Sequence, residues 1–159
     1  MDQRRIADSM VRKYGTRDPF RLARELGMIV IRTPLQGIRG FYQYIQRCVI
    51  IYIDSALDER TARFVCAHEI GHALMHRGYN RIFMDTHTYF ATRKHEVESD
   101  RFAVDLLYDD EDLREFLEHP VELAADCMGV STELAQYRLQ QLIPKNKNAL
   151  DLLAQIEGV

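Results

Sequence analysis

The spacing of hydrophobic residues predicts two helices and then a strand at the start of the chain. Four hydrophobic residues recur near helical spacing before Gly15, which can end a helix: Ile6, Met10, Val11 and Tyr14. A second helix is expected at 19–26, because Asp18 can cap its first turn and Gly27 allows the chain to leave it. The β-branched segment at 28–33 then predicts a strand.

Two further segments rich in aromatic and β-branched residues predict a hairpin. They cover 41–45 and 48–54 and are separated by a short polar connection. From Leu57 onward the hydrophobic residues follow helical spacing. The predicted helices cover 58–77, 95–107, 111–118, 121–128 and 131–142, with a loop between Arg77 and Lys94. Because the strands come early and the helices late, the sequence favours an α+β fold with a small antiparallel or mixed sheet.

Length and composition are those of one folded domain. The chain has 159 residues, of which 47% are hydrophobic, so it can bury a core without disulfide bonds. We expect a single domain made of four parts. These are a helical N-terminus at 1–27, a sheet at 28–54, a helical middle part at 58–107 and a helical C-terminal part at 111–159.

The charge balance argues against some classes of partner. Lys and Arg number 21 and Asp and Glu number 24, which gives a net charge of −3 and no global attraction for nucleic acid or anionic membranes. The longest apolar run, at 48–53, is too short to span a bilayer. Cys48, Cys66 and Cys127 are irregularly spaced, which indicates free thiols in a reducing compartment. We therefore expect a cytoplasmic protein.

The segment HEIGH contains the most informative chemistry of the chain. His68 and His72 are four residues apart, so on a helix they lie on the same face and can offer two imidazoles to one metal ion. Glu69 lies about 100° further round, where its carboxylate can reach a water molecule on the metal without binding the metal itself. The alternative is that both histidines are hydrogen-bonded residues of the core.

A catalytic zinc site needs a third protein ligand and an open position for water. The predicted helix 95–107 has two stripes when its residues are projected at about 100° each. The inward stripe is half apolar and comprises Glu96, Asp100, Ala103 and Leu107. The opposite stripe is charged and should face water: Glu98, Arg101 and Asp105. This projection favours Glu96 over Glu98 as the third ligand.

Asp100 lies one helical turn beyond Glu96 and therefore near a metal-binding histidine. Its carboxylate can accept a hydrogen bond from the ring nitrogen of His68 that does not face the metal, which would fix the tautomer and orientation of that ring. The alternative for Glu96 and Asp100 is a solvated helix face that carries two like charges.

These two segments resemble the motifs of the ImmA/IrrE metallopeptidases. HEIGH is followed at 96–103 by Glu-x-x-Ser-Asp-x-Phe-Ala, whereas the family pattern is HExxH and then E-x-x-A-[ND]-x-F-A. The resemblance extends over about residues 37–107 and departs from the pattern at Ser99, where the family usually has Ala.

By this resemblance, the chain is expected to have a zincin-like fold with HExxH on its active-site helix. The implied ligands of one zinc ion are His68, His72 and Glu96. Glu69 would be the catalytic base, and Asp100 takes the position of the family's Asn or Asp.

The resemblance also implies a protein substrate. Some family members have an N-terminal helix-turn-helix domain, for which the segment before the hairpin is too short, so the chain looks like the stand-alone anti-repressors of phages and integrative elements. Such proteins relieve repression by cleaving a helix-turn-helix repressor, and site-specific proteolysis of such a repressor is the expected function. The alternatives are a non-catalytic zinc-binding regulatory module that binds a protein or DNA, and a protease of broad specificity.

Three features outside the motifs bear on this function. His87 and Tyr89, in the loop between the metal-bearing helices, are candidate donors of a hydrogen bond to the oxyanion. The strand at 48–54 can pair with an extended substrate segment if it lies at an edge of the sheet. The segment 121–142 resembles a helix-turn-helix, but Arg138 is the one cation of its second helix, so packing is favoured over DNA binding.

Overall fold

The computed structural model describes residues 2–77 and 89–144, with 89–92 described by their backbone alone. The chain divides into two compact units, Met1–Asp109 and Asp110–Val159. The single domain predicted from the sequence stays a prediction. Within the described ranges, no helix is both long and apolar enough to cross a membrane.

Two capped helices begin the first unit, as the sequence predicts. Helix α1 covers Gln3–Tyr14 and ends at Gly15, whose φ of 64° is the left-handed conformation that glycine adopts without strain. Helix α2 covers Pro19–Glu25, and the side chain of Asp18 accepts a hydrogen bond from the backbone N–H of Phe20 at 3.3 Å.

A three-stranded mixed sheet follows the two helices. Its strands are β1 (Ile29–Thr33), β2 (Gly40–Ile45) and β3 (Cys48–Asp54), in the spatial order β1-β3-β2. Strand β3 runs parallel to β1 and antiparallel to β2. The small mixed sheet followed by helices confirms the α+β class.

Strand β3 lies in the centre of the sheet, so it is not the substrate-binding edge that the sequence analysis considered. Its backbone groups pair with β1 on one side and with β2 on the other. Ile51 and Ile53 of β3 are fully buried, whereas Ile29 and Ile31 of β1 are 49% and 38% exposed. The strand with the most continuous apolar sequence thus has the most buried position, which leaves β1 and β2 as the edges.

Helix α3 (Glu59–Met75) packs on the sheet and carries the HEIGH segment. Asp58 caps its N-terminus, and the side chain of Asp58 accepts a hydrogen bond from the backbone N–H of Thr61 at 2.7 Å. Ten of its residues are buried, including an unbroken run from Val65 to Ala73. Because this helix is buried on most of its faces, its polar side chains lie inside the protein and need partners there.

Helix α4 covers Tyr89–Leu107 and packs against both α1 and α3. It begins six residues before the helix predicted at 95–107. The side chain of Arg17 donates hydrogen bonds to the backbone carbonyls of Asp105 and Leu106, each at 3.1 Å, and so fastens the end of α4.

The charged stripe predicted on α4 does not face water, and the sequence-based projection was wrong here. Asp105 is 2% exposed and the side chain of Glu98 is 14% exposed. The projection assumed one buried side, but α1 and α3 cover this helix on two sides. Glu98 is therefore a largely covered carboxylate that contacts α3 rather than a fully solvated surface charge.

The second unit contains short helices, which are α5 (Asp110–Leu113), a 3-10 helix (Arg114–Glu118), α6 (Val121–Met128) and α7 (Thr132–Gln140). Between α6 and α7 the chain turns at Gly129, with a φ of 68°, and Ser131 caps α7 through a hydrogen bond from the backbone N–H of Leu134 at 3.2 Å. The helix-turn-helix arrangement expected at 121–142 is present.

The cation of that second helix does not lie on its surface. Arg138 is 2% exposed, and its guanidinium forms an ion pair with the carboxylate of Asp110. A buried, paired arginine cannot neutralise a phosphate group, which agrees with packing as the role of this segment.

Candidate metal centre

Helix α3 brings two histidines of the HEIGH segment side by side in the interior. His68 and His72 are 9% and 5% exposed, and their Nε2 atoms are 3.0 Å apart. The spacing of four residues gives this arrangement because side chains one turn apart on a helix project over the same face. Two imidazole nitrogens at this distance need a proton or a cation between them, since their lone pairs otherwise repel.

Helix α4 supplies a carboxylate to the same point. Glu96 Oε1 lies 3.1 Å from His72 Nε2, and Glu96 Oε2 lies 3.4 Å from His68 Nε2. One ligand atom from each of the three residues lies within 4.8 Å of the others. The structure therefore brings together His68, His72 and Glu96, the residues that the sequence analysis selected as ligands.

This donor set fits a zinc ion. Two imidazole nitrogens and one carboxylate are the protein ligands of many catalytic zinc sites, and they leave a fourth position for water or substrate. The electrostatics of the site favour a positive charge at the same point. Burial by itself lowers the pKa of His68, but hydrogen bonds to Asp100 and Glu96 outweigh it and raise the pKa to about 9. Without a metal, a proton on His68 takes the place of the cation.

The pKa of Glu96 likewise indicates that the site favours a positive charge. Burial raises the pKa of this carboxyl group, whereas the hydrogen bonds with His68 and His72 lower it, and the net effect holds the pKa well below its usual range. Glu96 therefore stays ionised and keeps both oxygens available as metal ligands.

Asp100 holds His68 from the side opposite to Glu96. Its Oδ1 lies 2.8 Å from His68 Nδ1, one helical turn along α4 from Glu96. With the proton of the imidazole on Nδ1 and donated to Asp100, the Nε2 lone pair of His68 points to the metal centre. This is the position that the sequence analysis gave to Asp100.

Glu69 lies next to the start of strand β2. It is 2% exposed, and its Cγ is 3.9 Å from the place that a Cβ atom of Gly40 would occupy. The same Cβ would be 2.5 Å from Val65 Cγ1 and 2.8 Å from the carbonyl oxygen of Tyr52, so this position requires glycine. The absence of a side chain lets the edge strand pass directly over the helix beside Glu69.

A second group of polar side chains adjoins the first and was missed from the sequence. His72 Nδ1 lies 3.2 Å from His76 Nδ1, and His76 Nε2 lies 2.7 Å from Glu98 Oε2. The ring of His95 stacks on that of His76 at 4.0 Å between centroids. The sequence holds one signal for this group, since His76 follows His72 by the same four residues that separate His72 from His68.

The two candidate oxyanion donors are not tested by the structure. His87 lies outside the described residues. Tyr89 begins helix α4, and its side chain is likewise outside them.

A groove of about 440 Å³ opens beside the C-terminal half of α3. Tyr42 of β2 lines the groove, and its ring lies 6.2 Å from that of His72, between centroids. The other lining residues include Tyr44, Val49, Ala73, Leu74 and, as charged members, Arg47 and Arg77. The groove thus begins next to the metal centre and is mainly apolar.

Comparison with known proteins assigns the chain to a family. A peptidase family described as the IrrE N-terminal-like domain matches residues 23–140. The chain is also 38% identical over 132 residues to "Uncharacterized immunity region protein 2" of Bacillus phage phi105, and the match covers 81% of this chain and 84% of that protein. The chain therefore belongs to the IrrE N-terminal-like peptidase family, which confirms the resemblance of its two motifs.

Proposed function

We propose that the chain is a zinc-dependent metallopeptidase that cuts an intracellular protein at one site. The observation that carries this proposal is the convergence of His68, His72 and Glu96, whose ligand atoms lie within 4.8 Å of one another. Membership of a peptidase family supports a hydrolytic rather than a structural use of these residues.

Glu69 is the residue that we assign to proton transfer. A zinc ion, when bound, supplies a Lewis acid that polarises a carbonyl group and makes a water molecule more acidic. Glu69 directly follows a proposed ligand on α3 and is not part of the group of three, so we assign its carboxylate to the base rather than to the metal. It would accept a proton from the attacking water and deliver it to the departing amine nitrogen.

Strand β2 is the edge that we assign to the substrate. It pairs with β3 along one side and is an outer strand of the sheet. Gly40, the first residue of β2, lies against Val65 of α3, beside Glu69. An extended peptide that adds to this edge would place a backbone carbonyl near the metal centre, and the groove beyond Tyr42 would receive an apolar side chain.

The substrate that we propose is a helix-turn-helix repressor, whose cleavage would relieve repression. The phage phi105 relative is named for an immunity region. The resemblance of this chain to phage anti-repressors implies a repressor as substrate, and the phage origin of the relative is in keeping with it. A repressor is thus the substrate class that best fits a peptidase with such a relative.

The main alternative is a non-catalytic zinc module that binds a protein or DNA. The ion pair of Arg138 with Asp110 argues against DNA contact through α7. Binding to a protein without cleavage would use the same groove and the same zinc site, so an experiment must separate it from hydrolysis.

Co-expression with the helix-turn-helix repressor encoded nearest to the gene makes this separation. The repressor would be analysed by intact mass after co-expression with the wild type, with Glu69→Gln and with Glu111→Gln. The last variant is a matched control, because Glu111 is a carboxylate with 76% of its side chain exposed. We expect two fragments that add up to one hydrolysed peptide bond with the wild type and the control, and intact repressor with Glu69→Gln.

Two results would contradict this proposal. An intact repressor with all three forms, while the protein contains zinc, would remove the repressor as substrate and favour the binding module. Equal cleavage with Glu69→Gln would remove Glu69 as the base.

A further inference from the structure

The group formed by His76, His95 and Glu98 has no part in the function proposed above. Its three side chains each offer one nitrogen or oxygen within 4.8 Å of the others, as metal ligands do. They also connect directly to the first group, through the contact of His76 with His72. Two roles are therefore open to these residues, namely a second metal site or support for the first one.

The positions of the ring protons distinguish these roles. If His72 gives its Nε2 lone pair to zinc, its ring proton must be on Nδ1, because a neutral imidazole carries one N–H. His72 Nδ1 lies 3.2 Å from His76 Nδ1, which must then accept that hydrogen bond. The proton of His76 is consequently on Nε2, from which it is donated to Glu98 Oε2 at 2.7 Å.

In this arrangement both ring nitrogens of His76 are already engaged. A metal ion at His76 Nε2 would have to displace the last proton of the ring, or break the hydrogen bond with His72. The rings of His76 and His95 are also stacked, with an interplanar angle of 28°, whereas ligands of one ion direct their ring edges toward it. The geometry thus disfavours a second ion beside an occupied first site.

We propose that His76 and Glu98 are positioning residues that hold His72 for zinc, as Asp100 holds His68. This inference rests on the zinc site of the proposed function and extends it. Hydrogen-bond partners on the far side of a metal-binding histidine fix its tautomer and orientation, and their loss lowers metal affinity by about 10- to 100-fold. Here the carboxylate acts on His72 through an intervening imidazole.

The surroundings of His76 support a fixed rather than a mobile ring. His76 is 5% exposed and Glu98 has 14% of its side chain exposed, so water competes little for their hydrogen bond. The backbone N–H of His76 donates to the carbonyl of His72 at 2.8 Å, and its own carbonyl accepts a hydrogen bond from the Tyr42 hydroxyl at 3.3 Å. The backbone is therefore held at the point where the ring projects.

The test measures zinc affinity and the positions of the ring protons in the full-length protein. Zinc affinity would be determined by competition with a chelator for the wild type, His76→Phe, Glu98→Ala and Glu98→Gln, with Glu111→Gln as control. We expect His76→Phe and Glu98→Ala to lose about 10- to 100-fold in affinity. Glu98→Gln should lose less, because its amide oxygen still accepts a hydrogen bond, and the control should be unchanged.

Nitrogen-15 NMR of the histidine rings gives a readout that a merely structural role would not move. In the zinc-loaded wild type we expect protons on His72 Nδ1 and His76 Nε2. In folded, zinc-loaded Glu98→Ala the His76 Nε2 proton loses its acceptor, so we expect it to exchange faster with water than in the wild type. Zinc affinity within twofold of the wild type for His76→Phe and Glu98→Ala, or a proton on His76 Nδ1 alone, would overturn the proposal.

The number of zinc ions bound per chain distinguishes the positioning role from a second metal site. Two zinc ions per chain, with one lost in His95→Ala, would make the second group a metal site and overturn the positioning role. None of these readouts depends on hydrolysis, so a protein that binds zinc as described but cuts no substrate would contradict the proposed function alone. A wild type that binds no zinc would overturn both.

Discussion

Gly71 of α3 lies against the aromatic ring of Phe102 of α4, and a Cβ atom on Gly71 would be 3.0 Å from Phe102 Cδ1. In the sequence, Gly71 lies between the two histidines of HEIGH and leaves room beside them. In the structure, the absence of a side chain lets the two helices approach closely at this point. Because α4 carries Glu96, this approach brings the carboxylate to His68 and His72.

Gly71→Ala should therefore weaken the metal site. The extra methyl group gains about 1 kcal/mol in helix propensity but overpacks a fully buried ring, at a cost of about 1 to 3 kcal/mol. We expect a net loss of stability in urea unfolding and a zinc affinity at least tenfold lower. Adding Phe102→Leu should recover part of both losses. A Gly71→Ala protein with unchanged zinc affinity would contradict the role of this contact.

The stability of the metal-free protein should fall as the pH rises. The pKa of His68 in the folded protein is about 9, above its ordinary value of 6.5. A raised pKa means that the folded state binds the proton more tightly, so its contribution is complete below about pH 6.5 and is lost as the pH rises through 9. Urea unfolding in the presence of a chelator should show lower stability at pH 9.5 than at pH 6. A variant that weakens the hydrogen bond to His68 separates this effect from that of other titrating groups.

Asp100→Asn provides that control, and zinc affinity should change with pH in the opposite direction to the stability of the metal-free protein. Asn accepts a hydrogen bond less strongly than a carboxylate, so this variant should reduce the loss between pH 6 and 9.5 in the metal-free protein. Zinc needs the neutral ring of His68, and its affinity should therefore rise over the same interval. Metal-free stability that does not change with pH in the wild type would contradict the hydrogen bonds assigned to His68.

Two serines should respond in opposite directions to the same substitution. Ser99 is fully buried, and its hydroxyl has no hydrogen-bond partner among the described residues, so Ser99→Ala should stabilise the protein by about 0.5 kcal/mol. Ser131 caps α7, so Ser131→Ala should cost about 1 kcal/mol. Urea midpoints compare the two variants, and a destabilising Ser99→Ala would reveal a partner for its hydroxyl.

Arg138 should contribute to the stability of the fold rather than to DNA binding. Arg138→Met removes the cation that pairs with Asp110, and we expect a loss of about 1 to 3 kcal/mol because the remaining carboxylate is partly buried. Gln140→Ala, at an exposed position of the same helix, should change stability by less than about 0.5 kcal/mol. An Arg138→Met protein as stable as the wild type would argue that the ion pair has no structural role.

Local features of the fold were predictable because they depend on neighbouring residues. Asp18 and Gly15 delimit the first two helices, and the hairpin strand 48–54 has the predicted bounds. The strand order was not predictable in the same way, since the parallel pairing of β1 with β3 depends on contacts between distant segments. The condition set for substrate pairing, that strand 48–54 lie at an edge of the sheet, is not met for this reason.

In the candidate site too, features set by neighbouring residues were predictable and features set by contacts between distant segments were not. His68 and His72 are related by helical spacing alone, and Glu96 was selected because its side of α4 is partly apolar. Glu98 was assigned to water because nothing in the local sequence indicates that α1 and α3 both cover α4. His76 lies outside both motifs, and its contact is with His72, one helical turn away.

The central claim is that His68, His72 and Glu96 hold one zinc ion, whereas Glu69 acts as the base and does not bind the ion. The zinc content of purified wild type, Glu69→Gln, His72→Gln and Glu96→Gln, measured by mass spectrometry of the metal, tests this claim most directly. We predict one zinc per chain in the wild type and in Glu69→Gln, and strongly reduced zinc in the two ligand variants. Zinc lost from Glu69→Gln, or retained at one per chain in both ligand variants, would contradict the account.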